Sequence, residues 1–439
     1  MSRNVSRGLI AGAAVLALSL SACSGGTAGT APESTTKPAG ETVKLSYLHR
    51  LPDGEGMTKV ADTVARWNAD HPEIQVEATK FDGQAGEMIK KLENDVKAGA
   101  APCLAQVGYA EVPSLFTKGL LEDVSAEASK YAANFSEGAL GLMTVGDAVI
   151  GLPQDSGPLV YYYNKAEFDK LGIDVPTTAD ELLSAAKKAA ESDKYVVAFL
   201  PDEAQYWLSA QTASAGAAWY TAENDQWNVN VTSPETAKVT EFWQTLLDGK
   251  AALVQNRWDD GFKTALVDKK LIGTIGAAWE APLLADDMAG SDNEGEWAVA
   301  QLPAFADTAM TGPDGGSGVG IMKGCPNVAE AMEFNNWFNT QIDDLTTQGL
   351  VVAAKGTQAT PEALATFYGG QDVFAELGKA NQALNPNFAY MPTWPALNDP
   401  MTKAAAVAGE GKGKVANIFE AAQTTSIQSL KDAGLPVAG

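Results

Sequence analysis

Val43-Lys44-Leu45-Ser46-Tyr47-Leu48 opens the stretch that decides the fold, because its alternating apolar residues read as a strand. The following stretch, Met57 to Asn68, carries Val60, Val64 and Trp67 at the spacing of one helical face, and His71-Pro72 stops it. Ile74 to Thr79 reads as a second strand, Gly86 to Ala98 as a second helix, and Cys103 to Val107, after Pro102, as a third strand. Strands alternating with helices at this short spacing predict a parallel sheet with crossover helices. A doubly wound α/β lobe of this kind binds ligands at the carboxyl ends of its strands.

Working outward, Gly151-Leu152-Pro153-Gln154-Asp155-Ser156-Gly157-Pro158 is rich in turn formers between two apolar runs, and a second lobe is predicted to start after it. Leu159 to Asn164, Tyr195 to Leu200, Leu271 to Ala278, Trp297 to Leu302 and Ser317 to Met322 read as further strands. Helices are predicted from Leu182 to Ala190, with Thr177 or Thr178 as cap, from Ser233-Pro234-Glu235 to Leu247, from Trp258 to Val267, and from Asn327 to Asn339. The chain shows no tandem repeat, which excludes a solenoid or propeller.

The 439 residues hold 45 % hydrophobic residues, so the chain can bury two or three cores and is not disordered as a whole. A formal charge of 31 − 55 = −24 offers no basic surface for phosphate, which argues against a nucleic-acid partner. Two histidines leave little room for His-rich chemistry, and neither a metal nor a cofactor is expected. The composition points to a soluble binding protein.

Residues 1–22 read as an export signal: Arg3 and Arg7 start it, and Gly8 to Leu20 is an uncharged, mostly apolar stretch. That stretch is too short to cross ~30 Å of hydrocarbon as a helix. Leu20-Ser21-Ala22-Cys23 resembles the bacterial lipobox, which implies that Cys23 is acylated and anchors the chain to the outer face of the membrane. The alternative is an ordinary secretory signal with an incidental cysteine. Loss of residues 1–22 makes the charge 29 − 55 = −26, which repels anionic lipid. Residues 23–40, rich in Gly, Ser, Thr, Ala and Pro, read as a flexible, disordered tether. With Cys23 lipidated, Cys103 and Cys325 remain as an even pair in an exported chain. They form either a disulfide, worth about 4–5 kcal/mol by loop-closure entropy, or two buried thiols.

Several ordered stretches resemble family 1 of the extracellular solute-binding proteins of ABC importers, the group of maltose- and oligosaccharide-binding proteins. They are Trp67-Asn68-Ala69-Asp70-His71-Pro72-Glu73-Ile74, Gly99-Ala100-Ala101-Pro102, Gly119-Leu120-Leu121-Glu122-Asp123-Val124, Gly151-Leu152-Pro153, Tyr162-Tyr163-Asn164-Lys165, Leu171-Gly172-Ile173, Gly276-Ala277-Ala278-Trp279 and Leu302-Pro303. The resemblance runs from residue 42 to about 435, and its order and spacing are more specific than any one piece. It departs from the family at Cys103, where members often carry an acid. That exchange supports pairing Cys103 with Cys325 as a subgroup feature.

The resemblance implies the periplasmic-binding-protein-like type II fold, two doubly wound α/β lobes with a ligand cleft and hinge strands. Crossings are then expected near Gln154–Gly157, Leu302–Phe305 and Gly349–Thr360. One lobe would hold residues 41–154 with 306–355, the other 155–305 with 356–439, and a Cys103–Cys325 bridge would lie inside the first, clear of hinge closure. The implied partners are an oligosaccharide and membrane permease subunits driven by an ATPase; the chain itself is expected to be a monomer.

A sugar site needs aromatic platforms and planar polar groups. Candidate platforms are Tyr109, Tyr206, Trp207, Trp219, Tyr220, Trp279 and Trp394, all at predicted strand ends or loops. Family analogy places cleft residues at Trp279 and at Trp394, the latter between prolines in a segment that reads as non-helical. Trp67, Trp243 and Trp337 read as core from their helical spacing, and Trp258 is undecided. Polar candidates are His49, Arg50 and Asp53 after the first strand, Gln106 to Glu111 after the third, Asp155 and Ser156 on the first crossing, Asp202, Glu203 and Gln205, and Glu280.

Enzyme readings are weaker. Ser184-Ala185-Ala186-Lys187 and Ser291-Asp292-Asn293 match two short motifs of penicillin-recognising enzymes, but the third, Lys-Thr-Gly, is absent. Gly315-Gly316-Ser317-Gly318-Val319-Gly320 has the wrong spacing for a nucleophile elbow or dinucleotide loop and reads as a loop into a strand. The expectation is a lipid-anchored oligosaccharide-binding protein of roughly micromolar affinity, near −8 kcal/mol. The alternatives are a surface glycoside hydrolase with paired carboxylates, or a binder of a polyol or other small solute.

Overall fold

The computed structural model describes residues 42–438 apart from 55, 56, 84, 136 and 308. The export signal, Cys23 and the 23–40 tether lie outside the described residues.

Strands β1 (Val43–His49), β2 (Ile74–Lys80) and β3 (Leu104–Gly108) pair in parallel, with β1 between the other two. Helices α1 (Val60–Asp70) and α2 (Ala85–Lys97) connect them, as the alternation predicted. Helix α1 buries Val60, Val64 and Trp67 along one face, and the Trp67 Nε1–H donates to the Ile74 carbonyl at 2.9 Å, tying the helix to the next strand. Lys59 supplies no side-chain cap; the Asp53 carboxylate accepts from the Val60 N–H at 3.0 Å instead.

The turn formers of Gly151–Pro158 make no turn. Those residues are the first part of one long strand, β4 (Gly151–Asn164). From Leu159 onward β4 pairs antiparallel with β5 (Gly273–Ala277) and β6 (Trp297–Gln301). Its earlier part pairs with β7 (Pro313–Ile321) and β8 (Val351–Val352). The sheet order is β5-β4-β7-β3-β1-β2, so β4 belongs to both halves of the curled sheet. The turn formers are explained by crowding. A Cβ on Gly151 would stand 2.1 Å from the Val319 carbonyl oxygen, and one on Gly157 would stand 2.1 Å from that of Asp314. Pro153 and Pro158, which donate no ladder hydrogen bond, pair with β7 where its register shifts.

Boundaries elsewhere move modestly. The expected Tyr195–Leu200 strand shortens to Ala198–Phe199, paired with Leu253–Val254, because Pro201 opens a helical turn. Helix α3 (Ala179–Ala190) is capped by Thr178, whose hydroxyl accepts from the Glu181 N–H, while the Glu181 carboxylate accepts from Thr177. Helix α4 (Pro234–Asp248) is capped by Ser233, and α5 (Asp260–Val267) begins two residues after Trp258. Helices α6 (Glu280–Asp287) and α7 (Val328–Asn339) complete the elements used below.

Two apolar clusters hold the chain together. One packs Leu45, Tyr47, Trp67, Leu104, Phe334 and Phe338 between the parallel strands and α1 and α7. Cys103 and Cys325 lie in it and form a disulfide, Cα to Cα 4.7 Å. The other gathers Tyr161, Tyr162, Trp207, Trp243, Ile275 and Phe419, and extends to Val107 and Tyr109. Trp67 and Trp243 are core residues as read from spacing; Trp337 is partly buried against the first cluster. Among the described residues no helix is long and apolar enough to cross a membrane.

Candidate functional site

The carboxyl ends of β1 and β3 deliver their residues to the middle of the β4–β7 pair. Gln106 accepts from the Arg50 N–H at 2.7 Å and donates through Nε2 to the Ser317 hydroxyl at 3.0 Å. Ser317 in turn donates through its N–H (3.0 Å) and hydroxyl (2.5 Å) to the Asp155 carboxylate. Burial pushes Asp155 up to about 6, against the hydrogen bonds from Ser317 and the nearby Arg50 charge. Tyr109 donates its hydroxyl to the Asp155 carbonyl at 2.7 Å. Burial also raises the pKa of Glu111, opposed by Arg50, and its carboxylate accepts from the Tyr206 hydroxyl at 3.1 Å.

Across β7 lie two indoles. Trp258 is 57 % exposed, the ring centroids of Trp258 and Trp279 are 6.3 Å apart, and their planes differ by 6°. The Trp279 Nε1–H donates to the Asp314 carbonyl at 2.8 Å, and a Cβ on Gly315 would stand 3.2 Å from that nitrogen. On Gly316 a Cβ would stand 2.9 Å from the Tyr109 ring, so the paired glycines let β7 pass between Tyr109 and Trp279. The Trp258 Nε1–H donates to Glu203. Burial pushes Glu203 up to about 7, helped by Glu280 and Asp202, and it pushes Asp314 well above the ordinary range, helped by Glu203 and Glu280. The cation among these acids is Arg257, which donates to Glu280 (Nε, 2.6 Å) and Asp287 (Nη1, 3.2 Å). Flat indole faces beside carboxyl and amide groups suit a ligand with apolar C–H faces and hydroxyls.

The structure thus brings Arg50, Tyr109, Glu111, Asp155 and Tyr206 together through one set of contacts, and Asp202, Trp279 and Glu280 through another, with β7 passing between Tyr109 and Trp279. Other expected contacts are bonded or packed within the protein, and Tyr109, Asp155 and Glu280 are themselves buried. Trp207 is 1 % exposed and its indole donates to the Ile275 carbonyl. Trp394 is fully buried, against Tyr206, Trp219, Tyr220 and Tyr390. Its segment, expected to be non-helical, forms a short 3-10 turn, Trp394–Leu397, which Pro395 tolerates at its start. Trp219 and Tyr220 are also buried, and Gln205 donates to the Trp394 carbonyl. The Ser156 hydroxyl is bonded to Asn381, and Asp53 is occupied by Val60 and Gln348. His49 is 2 % exposed; burial pushes it down to about 4, and its Nδ1 accepts from the Leu51 N–H.

Sequence reading left Trp258 undecided and missed Arg257 and Asp314. Arg257 had one usable signal: it is one of only five arginines in the chain, and the only one after Arg66. Asp314 had none, because its burial depends on β4. The Ser184 hydroxyl donates to the Asp180 carbonyl on an exposed helix face, and Ser291 bonds with Asn293, so each motif is satisfied locally. Open grooves flank α3, bordered by Gly172–Lys188 and by Ala304–Asp307, but they contain none of the indole and carboxyl cluster. Chemistry rather than concavity locates the site. Among the described residues no group of three or more His, Cys, Asp or Glu could hold a metal ion.

A crossed α/β sheet that presents polar strand ends and a parallel indole pair, one ring of it exposed, around one strand crossing defines a ligand-capturing protein of the periplasmic-binding-protein type II class. The chain belongs to the bacterial extracellular solute-binding protein family, whose profile matches residues 50–342. It is similar to the solved galacto-N-biose/lacto-N-biose I-binding protein of an ABC transporter from Bifidobacterium longum, in complex with lacto-N-biose. That match has 51% identity and a TM-score of 0.86, and covers 91% of this chain and 100% of that one. It is also similar to the galactooligosaccharide-binding protein of Bacillus subtilis (strain 168), 24% identical over 65% of this chain, and to the arabinooligosaccharide-binding protein of Halalkalibacterium halodurans, 22% identical over 44% of it. The matches span 62% and 44% of the lengths of those two curated relatives, respectively.

Proposed function

We propose that this chain is the sugar-capturing component of an ABC importer, taking a short oligosaccharide at the Trp258–Trp279 pair and passing it to permease subunits. The observation that carries this is the parallel indole pair, Trp258 exposed and Trp279 half-buried, flanked by Glu203, Asp202 and Asp314 at the β4–β7 crossing. The 51% identical relative solved with lacto-N-biose supports a disaccharide of that kind as first candidate. Capture proceeds by closure of two lobes, residues 41–154 with 306–355 and 155–305 with 356–439. The Tyr206–Glu111 hydrogen bond joins one to the other, and the disulfide stays inside the first. Export through residues 1–22, lipid on Cys23 and the 23–40 tether would hold a monomeric protein at the outer face of the cell membrane. The cleft binds and does not cleave.

Calorimetry of the purified chain with lacto-N-biose, galacto-N-biose, and xylo-, gluco-, galacto- and raffinose-type oligosaccharides tests the reading. One of them should bind with a Kd of roughly micromolar order. Trp258→Ala and Trp279→Ala should each weaken it by about tenfold or more. Absence of binding to all of these sugars overturns the sugar assignment and leaves a polyol or other solute; cleavage products after incubation would make the cleft a glycoside hydrolase. Cys23→Ala should move the protein from the membrane fraction to the medium.

A further inference from the structure

Trp258 is the most exposed large apolar side chain among the described residues, so what holds its ring parallel to Trp279 needs an explanation. The segment carrying it is pinned through Asp202, which accepts from the Arg257 N–H at 2.9 Å and the Trp258 N–H at 3.4 Å. The Arg257 side chain is 3 % exposed, and its guanidinium carbon lies 4.8 Å from the Trp258 ring centroid and 4.6 Å from that of Phe262 on α5. The same guanidinium bonds Glu280 and Asp287 on α6. Glu280 directly follows Trp279 in the chain, and its other oxygen accepts from the Ala277 N–H at the end of β5. One side chain therefore touches the face of the first indole and grips the residue next to the second.

We infer that Arg257 is the positioning residue of the ligand platform, setting the spacing of Trp258 and Trp279 from beneath without touching the ligand. This rests on the reading that the two indoles bind sugar. Arginine suits the task because its planar fork bonds two carboxylates in plane while its face stays free to stack on a ring. A lysine ammonium at this position keeps the charge but cannot do both.

The test is a double-mutant cycle between Arg257→Lys and Trp258→Ala, read by calorimetry with lacto-N-biose and by fluorescence quenching of Trp258 with acrylamide. Arg257→Lys should weaken binding about tenfold in the native background and less than about twofold in the Trp258→Ala background, since an effect carried through Trp258 vanishes with it. Quenching of Trp258, taken as the difference from Trp258→Phe, should rise in Arg257→Lys. Asp287→Asn, at a partner 26 % exposed, removes one grip without emptying the interior. It should give a smaller shift in the same direction, and it carries the same cycle if Arg257→Lys folds poorly. Equal losses in both backgrounds, or unchanged quenching, overturn the inference. If no sugar binds but quenching rises as expected, the positioning role stands and the sugar reading fails.

Discussion

Asp155 sits in the middle of β4, 5 % exposed, and burial pushes its carboxyl from 3.8 to about 6. The sign follows from which state holds the proton. Between pH 3.8 and 6 the folded chain keeps a proton that the unfolded chain has released, so this group's stabilisation is complete below about pH 3.8 and is lost as pH rises through 6. The span of 6 − 3.8 corresponds to about 3 kcal/mol at ~1.4 kcal/mol per pH unit, of which about 2 kcal/mol is lost between pH 4.5 and 8. Asp155→Asn removes that titration while its amide oxygen still accepts from the Ser317 N–H; the reorganised Ser317 hydroxyl bond costs about 1 kcal/mol at low pH. Urea unfolding of both proteins at pH 4.5 and 8 measures the difference, provided the denaturant slopes match. The native protein should lose about 2 kcal/mol more than Asp155→Asn over this range. Parallel losses would refute the assignment of a buried, proton-holding carboxyl to the crossing strand.

Glu203, pushed from 4.5 to about 7 chiefly by burial, should contribute a second, higher limb: its stabilisation is lost as pH rises through 7, and Glu203→Gln should abolish that limb in the same urea series. Replacing Cys103 and Cys325 by Ser should cost about 5 kcal/mol by loop-closure entropy across a separation of 222 residues, seen as a fall in Tm that reductant reproduces, with sugar affinity unchanged in the folded protein. Trp394→Ala should cost about 3–5 kcal/mol as a core deletion; a binding defect at unchanged Tm would instead make it a ligand platform. Thr178→Ala should cost about 1 kcal/mol by uncapping α3, and an unchanged unfolding midpoint would show that the Thr177–Glu181 contact suffices.

The first three strands and their helices were legible because each is decided locally: Val60, Val64 and Trp67 fall on one face whatever lies opposite. Strand β4 was illegible because its glycines and prolines answer to β7, more than 150 residues later, whose carbonyls leave no room for a Cβ. The site was half legible. Strand-end logic offered Arg50 and Glu111, since carboxyl ends of parallel strands converge by topology, and Asp202 after its strand, while Asp155 came from the expected crossing and Glu280 from its place beside Trp279. It could not tell Trp279, pinned at the crossing, from Trp207 and Trp394, sealed in the core. All three lie at predicted loops or strand ends, and the family resemblance that singled out Trp279 and Trp394 carries no information on the burial of Trp394.

By itself the sequence determined the α/β class, the helix caps, the family and the list of aromatic and acidic candidates, because periodicity, capping and ordered motifs are properties of neighbours along the chain. Tertiary structure alone decided that the turn-rich segment is one continuous strand, that Trp258 and Trp279 lie parallel, and that Arg257 links them. Burial, ring spacing and the sharing of one guanidinium between distant carboxylates arise only when remote segments exclude water from the same place.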